Sequence, residues 1–490
     1  MIITEWNPLL LLVPILLPIL GGGWLLLGWR VDRENRELFT EVVACFTSTA
    51  VFLSLSNVRR GSMATVYPFI DGFSVGFMMD GPGMLFAGMV AVMWPLALLY
   101  AFSYMERAPR QNSFFAFYLM TYGVTLAVAF SANLITLYIC FELLTLVTIP
   151  LVAHSQNPDS TYAGYLYAAY CIAGASLALA AVVLGTLDGS GTFRFGGNLA
   201  KEYPPALMRA VYLFGFVGFG TKAAVFPLYI WLPKASVAPT PVTALLHAVA
   251  VVNSGVFAVT RLTWYAFGSN LLSGSGVQVF CVLLSSFSMV FAAVMALKER
   301  HFKRRLAYST MSNLSYMLFG VSLMTGRGLT GALSHMLFHG VIKMSLFLCA
   351  GAFMHVTGRE YLYEINGQGW RMPYTFTAYT LGALSLTGIP LFCGFVSKWR
   401  LLTAGVAAGT WADMVGVAAL IVSAFLCAMY TLSVSVRAFL PGAAEVPAGI
   451  READWRMLLP IGVFTVANIA FGVWSEPVMT FLEAVSRGVL

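Results

Sequence analysis

The chain has 490 residues, 59% of them hydrophobic and only 10% charged, and its mean hydropathy of +0.81 lies outside the usual range of soluble domains. A chain this apolar needs lipid as its solvent. Its formal surplus of seven positive charges is better explained by orientation in a membrane than by nucleic acid.

An apolar helix of about 20 residues crosses the hydrocarbon core. Apolar windows between polar breaks fall near 8–28, 37–57, 81–103, 113–130, 133–153, 162–184, 210–230, 240–264, 274–297, 305–324, 332–354, 374–396, 412–436 and 457–475. They are apolar all round, whereas outer-membrane strands alternate, so an all-α integral membrane protein is expected and a β-barrel is not. Met1 to Arg30 carries Glu5 where a signal peptide has a basic flank, and it shows no small-residue cleavage site, so it reads as the first span. Lys and Arg in loops after odd-numbered windows total 16, against 9 on the opposite side, which places both termini outside the cytoplasm.

An ionisable residue inside such a window is costly and needs a reason. In the fifth window, Glu142 is the only carboxylate well inside the apolar run, and it needs a cation. The seventh offers Lys222 in Gly218-Phe219-Gly220-Thr221-Lys222-Ala223, followed by Pro227. Proline removes a backbone hydrogen bond and glycine admits close approach, so a broken helix around a polar cavity is expected there. His247 lies in the eighth window, either capping a neighbouring backbone group or carrying protons. In the eleventh, His335, His339 and Lys343 recur every four residues, so they share one helix face over about 12 Å of rise. Lys398 follows Gly388-Ile389-Pro390, a second glycine and proline interruption beside a lysine, and Pro227-Leu228-Tyr229 with Pro390-Leu391-Phe392 suggests a faint internal repeat.

This inventory suits protons. Desolvation penalises the charged state of lysine and glutamate, while histidine exchanges protons near neutrality unaided. Making or breaking a Glu142–Lys222 pair would act as a switch that moves a proton onward. The alternative is that these charges only pair and fix helix register, which would leave several cations unpaired. Seven cysteines stand singly with no two-residue spacing, and Gly185 to Gly197 lacks a Walker lysine, so neither a redox centre nor a nucleotide site is expected in this chain.

The residues resemble those of the antiporter-like subunits shared by complex I, energy-converting membrane-bound hydrogenases and Mrp cation/proton antiporters. The resemblance runs from Asp71-Gly72-Phe73-Ser74 through Phe141-Glu142, Gly220-Thr221-Lys222, Trp231-Leu232-Pro233-Lys234-Ala235 and Pro239-Thr240-Pro241 to His247-Ala248. It continues over Lys303-Arg304-Arg305-Leu306-Ala307-Tyr308-Ser309-Thr310-Met311-Ser312, the His335/His339/Lys343 helix, and Gly388-Ile389-Pro390 to Lys398.

It implies about fourteen transmembrane helices with two inverted five-helix repeats, each with one broken helix. The segments would be 1–110 (helices 1 to 3), 111–265 (first repeat), 266–437 (second repeat) and 438–490 (helix 14). It also implies Glu142 and Lys222 as a regulatory ion pair, Lys343 with His335 and His339 as the central relay, Lys398 as the terminal exchange residue, and Lys234, at the end of the broken helix, as a further relay residue. Many members have a lysine in the eighth span where this chain reads Val252-Asn253-Ser254-Gly255, so His247 is expected to take over that step.

The function expected is a proton-translocating subunit of a redox-driven complex in a prokaryotic plasma membrane. It would sit beside other membrane subunits, further antiporter-like subunits among them, and peripheral redox subunits. Iron–sulfur, NiFe or flavin centres are expected only in those partners. The alternatives are an Mrp-type sodium/proton antiporter subunit without a redox partner, and a passive membrane scaffold. A membrane-embedded transferase is disfavoured because no carboxylate pair or loop nucleophile stands out.

Overall fold

The computed structural model describes residues 7–27, 32–58, 60–70, 73–187, 192–198, 202–440 and 451–489. Asp71 and Gly72 of the motif above lie outside them. Two helices, α1 (Leu12–Leu26) and α2 (Arg33–Asn57), lead into an antiparallel hairpin of β1 (Met63–Ile70) and β2 (Phe73–Met78). Then follow α3 (Gly81–Tyr104), α4 (Gln111–Phe130), α5 (Leu134–Val152), α6 (Pro158–Leu187), α7 (Pro205–Gly220), α8 (Trp231–Ala235), α9 (Thr240–Ala248) and α10 (Val251–Thr260). After a π-helical turn at Arg261–Phe267 come α11 (Ser269–Leu272), α12 (Gly276–Lys298), α13 (Phe302–Ser322), α14 (Gly326–Thr357), α15 (Pro373–Thr387), α16 (Cys393–Ala408), α17 (Trp411–Phe439), α18 (Trp455–Val473) and α19 (Glu476–Ser486).

Among the described residues, each apolar window falls wholly or partly on helix, and eleven helices are long and apolar enough to cross a membrane. The windows that fall short are those whose helix is interrupted or opens on charge. α7 stops at Gly220, α15 ends at Gly388, and α13 begins Phe302-Lys303-Arg304-Arg305. Side-chain caps start several helices: Asp80 accepts from Gly83 N at 3.1 Å and Asn133 from Thr136 N at 2.8 Å. The hairpin is not a sequence expectation. It folds over the start of α5, where Asn133 Nδ2 donates to Ser74 O at 2.8 Å and Ala132 N to Gly76 O at 3.0 Å.

Burial is graded. In its most apolar stretch α14 is 94% buried and the span Thr240–Phe267 100%, whereas α1, α2 and α18 are only 33–39% buried. The polar stripe of α14 therefore faces protein, not lipid. Successive loops gather alternately on two faces. On one, Arg33 meets Glu106 at 2.5 Å, Arg110 donates to His154 O at 2.8 Å, and Gly367 N donates to Arg437 O at 2.9 Å. On the other, Phe193 N donates to Ala132 O at 2.7 Å, Arg194 N to Tyr265 O at 3.1 Å, and Arg400 reaches Glu483 at 3.2 Å. The first face carries the loops richer in Lys and Arg.

Candidate functional site

Both expected helix interruptions are present, at 221–230 between α7 and α8 and at 388–392 between α15 and α16. At the second, Gly388 adopts φ 99°, a left-handed conformation that suits glycine, and its N–H returns to Ser385 O at 2.9 Å. That turn leaves the carbonyls of Leu386 and Thr387 without helical partners, and Lys398 Nζ donates to them at 2.5 and 3.2 Å. A third interruption, between α9 and α10, is new. The N–H groups of Val249 and Ala250 both return to Leu245 O, at 3.0 and 2.8 Å, and Asn253 Nδ2 donates to Ala248 O at 2.7 Å. Asn253 thus satisfies a carbonyl exposed by the break.

Lys222 is fully buried just past the end of α7, with Nζ 3.7 Å from Glu142 Oε1 and 3.5 Å from the centroid of the Phe141 ring. It also donates to Phe141 O. The backbone of α10 closes on it, since a Cβ on Gly255 would sit 2.5 Å from Ala223 N and 2.8 Å from Lys222 C. Glu142 is different. Its side chain stays 23% exposed on the flank of α5 that also bears exposed Ile139, Leu143 and Leu146.

The remaining cations lie in the interior and meet no carboxylate among the described residues. Lys343 Nζ donates to Leu306 O at 2.9 Å and to Ser309 Oγ. His335 bridges Ser397 Oγ at 2.9 Å and Asn313 Oδ1 at 3.2 Å. His339 stacks on His335 with 5.9 Å between centroids, and neither of its ring nitrogens has a hydrogen-bond partner among the described residues. The same is true of His247, which stacks on Phe347 at 4.8 Å. Buried polar nitrogens of this kind call for water. Two aromatic rings are shared by these groups: Phe347 adjoins both His247 and Lys343, and Tyr316 adjoins both His335 and Lys398.

The structure thus sets His335, His339 and Lys343 in a buried row along α14, with His247 meeting it at Phe347 and Lys398 at Tyr316, while Glu142 and Lys222 form a pair of their own. Lys234 is exposed at the end of α8, outside the row. Three features escape the sequence reading. Arg261, which counts with the loop cations in the sequence, is fully buried and grips Asp80 with two guanidinium nitrogens, Nη2 lying 2.6 Å from Oδ1. A signal for it exists, because Arg261 lies within an apolar window. Lys303 likewise counts as a loop residue but is buried, donating to Ala238 O at 2.9 Å. Glu41, near the start of α2, buries Oε2 without a hydrogen-bond partner among the described residues. Among the described residues, no group of three or more His, Cys, Asp or Glu side chains is placed to hold a metal.

Residues 131–435 match the model of the "NADH:quinone oxidoreductase/Mrp antiporter, TM" family. The chain is 32% identical to NADH-quinone oxidoreductase subunit N of Desulforudis audaxviator, over 80% of each. It is 30% identical to a Na(+)/H(+) antiporter subunit of Alkalihalophilus pseudofirmus, over 72% of this chain and 46% of that protein, so it spans about half the length of that relative. Its fold is similar to that of a chain in the membrane-bound sulfane sulfur reductase, an archaeal respiratory membrane complex, with TM-score 0.85, 20% identity, and 98% of this chain and 97% of the other covered. It is equally similar to a chain in the Mrp complex of a Dietzia species, with TM-score 0.85, 21% identity and the same coverage.

Proposed function

This chain belongs to the NADH:quinone oxidoreductase/Mrp antiporter transmembrane family, and from that premise we propose that it is the proton-translocating, antiporter-like subunit of a multi-subunit redox-driven membrane complex. The observation that carries the reading is the row from His247 through Lys343, His339 and His335 to Lys398. Where its lysines and histidines find partners, these are carbonyls, hydroxyls and an amide, with no carboxylate to fix their charge. A buried cation without a counter-ion is expensive, so such groups gain by passing protons on. Ring-to-ring gaps along the row exceed hydrogen-bond reach, and water completes the path.

In this reading Glu142 and Lys222 are the switch. Lys222 is sealed inside while Glu142 opens on an outer flank, so a neighbouring membrane subunit packed on α5 would tune the pair and bias the proton on the row. Fourteen spans in two inverted repeats, approximately 111–265 and 266–437, suit the matching interruptions at 221–230 and 388–392. The face with the basic loops would be cytoplasmic, both termini lying on the other side of a prokaryotic plasma membrane. Flavin, NiFe or iron–sulfur centres would belong to peripheral partner subunits. The alternative, an Mrp-type sodium/proton antiporter subunit, is favoured by the match to the Alkalihalophilus antiporter protein.

The test is ion transport by the intact complex in proteoliposomes, with oxidation of hydrogen, ferredoxin or NADH followed in parallel. Redox-driven lumen acidification, lost in both Lys222→Ala and Lys398→Met while assembly persists, is the expected result. Sodium/proton exchange without redox activity would assign the chain to the antiporter alternative, and loss of assembly in both variants would leave the charges a structural role.

A further inference from the structure

The face opposite the basic loops is poor in cations, yet three of the nine counted there gather in one place. A cavity of about 630 Å³ on that face is lined among others by Arg327, Thr330, Arg400, Thr403, Glu483 and Arg487. Its arginines come from three elements: the first turn of α14, the middle of α16 and the end of α19. Thr330 Oγ1 donates to Ser486 Oγ at 2.8 Å and so ties α19 to α14 at the cavity wall.

Charge in the cavity does not balance. Glu483 is the one carboxylate of its lining, and it is shared, lying 3.2 Å from Arg400 Nη1 and 3.7 Å from Arg487 Nη2. Arg327 meets no carboxylate among the described residues. Two positive charges are left over, and the N-terminus of the 32-residue α14, which opens at Gly326 in the same lining, adds the positive end of its dipole. Guanidinium groups in this arrangement suit the oxygens of a phosphate.

Below the cavity the surface turns apolar. Thr403, Trp399 and Phe395 recur every four residues on α16, so they share one face over about 12 Å of rise towards the interruption at 388–392. Thr403 Oγ1 donates to Trp399 O at 2.9 Å, and Trp399, 53% exposed, stacks on Phe395 with 5.9 Å between centroids. An exposed tryptophan directly under a cluster of arginines is the pattern of a membrane–water interface. A soluble anion or an acidic peptide would use the arginines alone, whereas a phospholipid uses both parts.

We propose that this cavity binds the phosphate headgroup of an anionic phospholipid, with an acyl chain laid along Trp399 and Phe395. The surplus of positive charge selects a lipid with net negative charge over a zwitterionic one. The bound headgroup joins α14, α16 and α19 at one point, on the two helices whose His335 and Ser397 meet at 2.9 Å. The site stands whether or not protons pass along the row.

The test counts lipid on the intact complex. Complex stripped of lipid in detergent is returned to bilayers of phosphatidylcholine and phosphatidylglycerol, released again, and its retained lipid identified by mass. Arg327→Gln with Arg487→Gln should lose about one phosphatidylglycerol per copy of this chain, with phosphatidylcholine unchanged, and Trp399→Ala should lose the same molecule. Arg194→Gln, an exposed arginine on the same face, should keep it. Both substituted arginines are exposed, and Arg487→Gln alone serves where the pair impairs assembly. Retention equal to wild type in these arginine variants would overturn the site. Displacement by inorganic phosphate together with no effect of Trp399→Ala would overturn the lipid in favour of a soluble anion. Loss of a neighbouring subunit from the arginine variants, with lipid count unchanged, would overturn it in favour of a partner's acidic segment.

Discussion

Asp80 and Arg261 form the most committed ion pair among the described residues, because Arg261 has no exposed surface and the rings of Phe257 and Tyr265 lie 4.9 and 5.0 Å from its guanidinium carbon. Breaking such a pair on one side leaves an uncompensated buried charge, at a cost of about 3–5 kcal/mol. Asp80→Asn should therefore lower the melting temperature and the assembled yield while transport per assembled complex stays unchanged; transport lost in well-assembled complex would give the pair a functional role. Gly255→Ala tests the close approach to Lys222. Its Cβ would lie 2.5 Å from Ala223 N, and overpacking of this kind costs about 1–3 kcal/mol. Transport should fall although every ionisable residue remains, and an unchanged rate would show that the Lys222 backbone can give way. His154, in the turn after α5, has its pKa held below the ordinary 6.5 by burial first, with the Arg110 charge adding to it against the bond to Pro109 O. The folded state then binds fewer protons there than the unfolded chain, so its stability is complete above pH 6.5 and declines as pH falls below it. His154→Gln should flatten that part of a thermal-stability profile against pH.

At the scale of elements, the informative ones are those that stop early. The breaks at 221–230 and 388–392 are legible because glycine and proline announce them. The break between α9 and α10 is not, since Val249 and Ala250 carry no such signal and the interruption is made by the chain around them. Asn253 holds that break by donating to Ala248 O. Asn253→Leu would leave the carbonyl unpaired at a cost of about 1–3 kcal/mol and should slow transport along with loss of stability; normal stability and transport would make the contact dispensable. The hairpin Met63–Met78 is silent in hydropathy because two short strands inside a loop register neither as a span nor as an isolated sheet.

For the whole molecule, lipid as solvent makes the sequence readable. Apolar windows must become helices to satisfy their backbones, and ionisable residues within them stand out, so Glu142, Lys222, His247, His335, His339, Lys343 and Lys398 can be named from the sequence. Lys303 and Arg261 cannot, because a count of loop charges treats any cation near a window edge as exposed, and only packing shows otherwise. The two loop faces give a direct test: Gln156→Cys and Asn270→Cys, both exposed, should react with an impermeant thiol reagent from opposite sides of sealed vesicles. Reaction from the same side would refute the alternation of spans.

The interrupted helices also bear on how the chain is made. α7 has 16 residues, α15 has 15, and α13 opens on three cations, so none of them presents the insertion machinery with a free-standing apolar span. Each must enter the bilayer against neighbours already in place, with α12 delivered before α13 and α14 following to cover it. Biogenesis is therefore ordered in time, and a ribosome that stalls between α13 and α14 leaves a half-buried basic helix for the membrane's quality control to find.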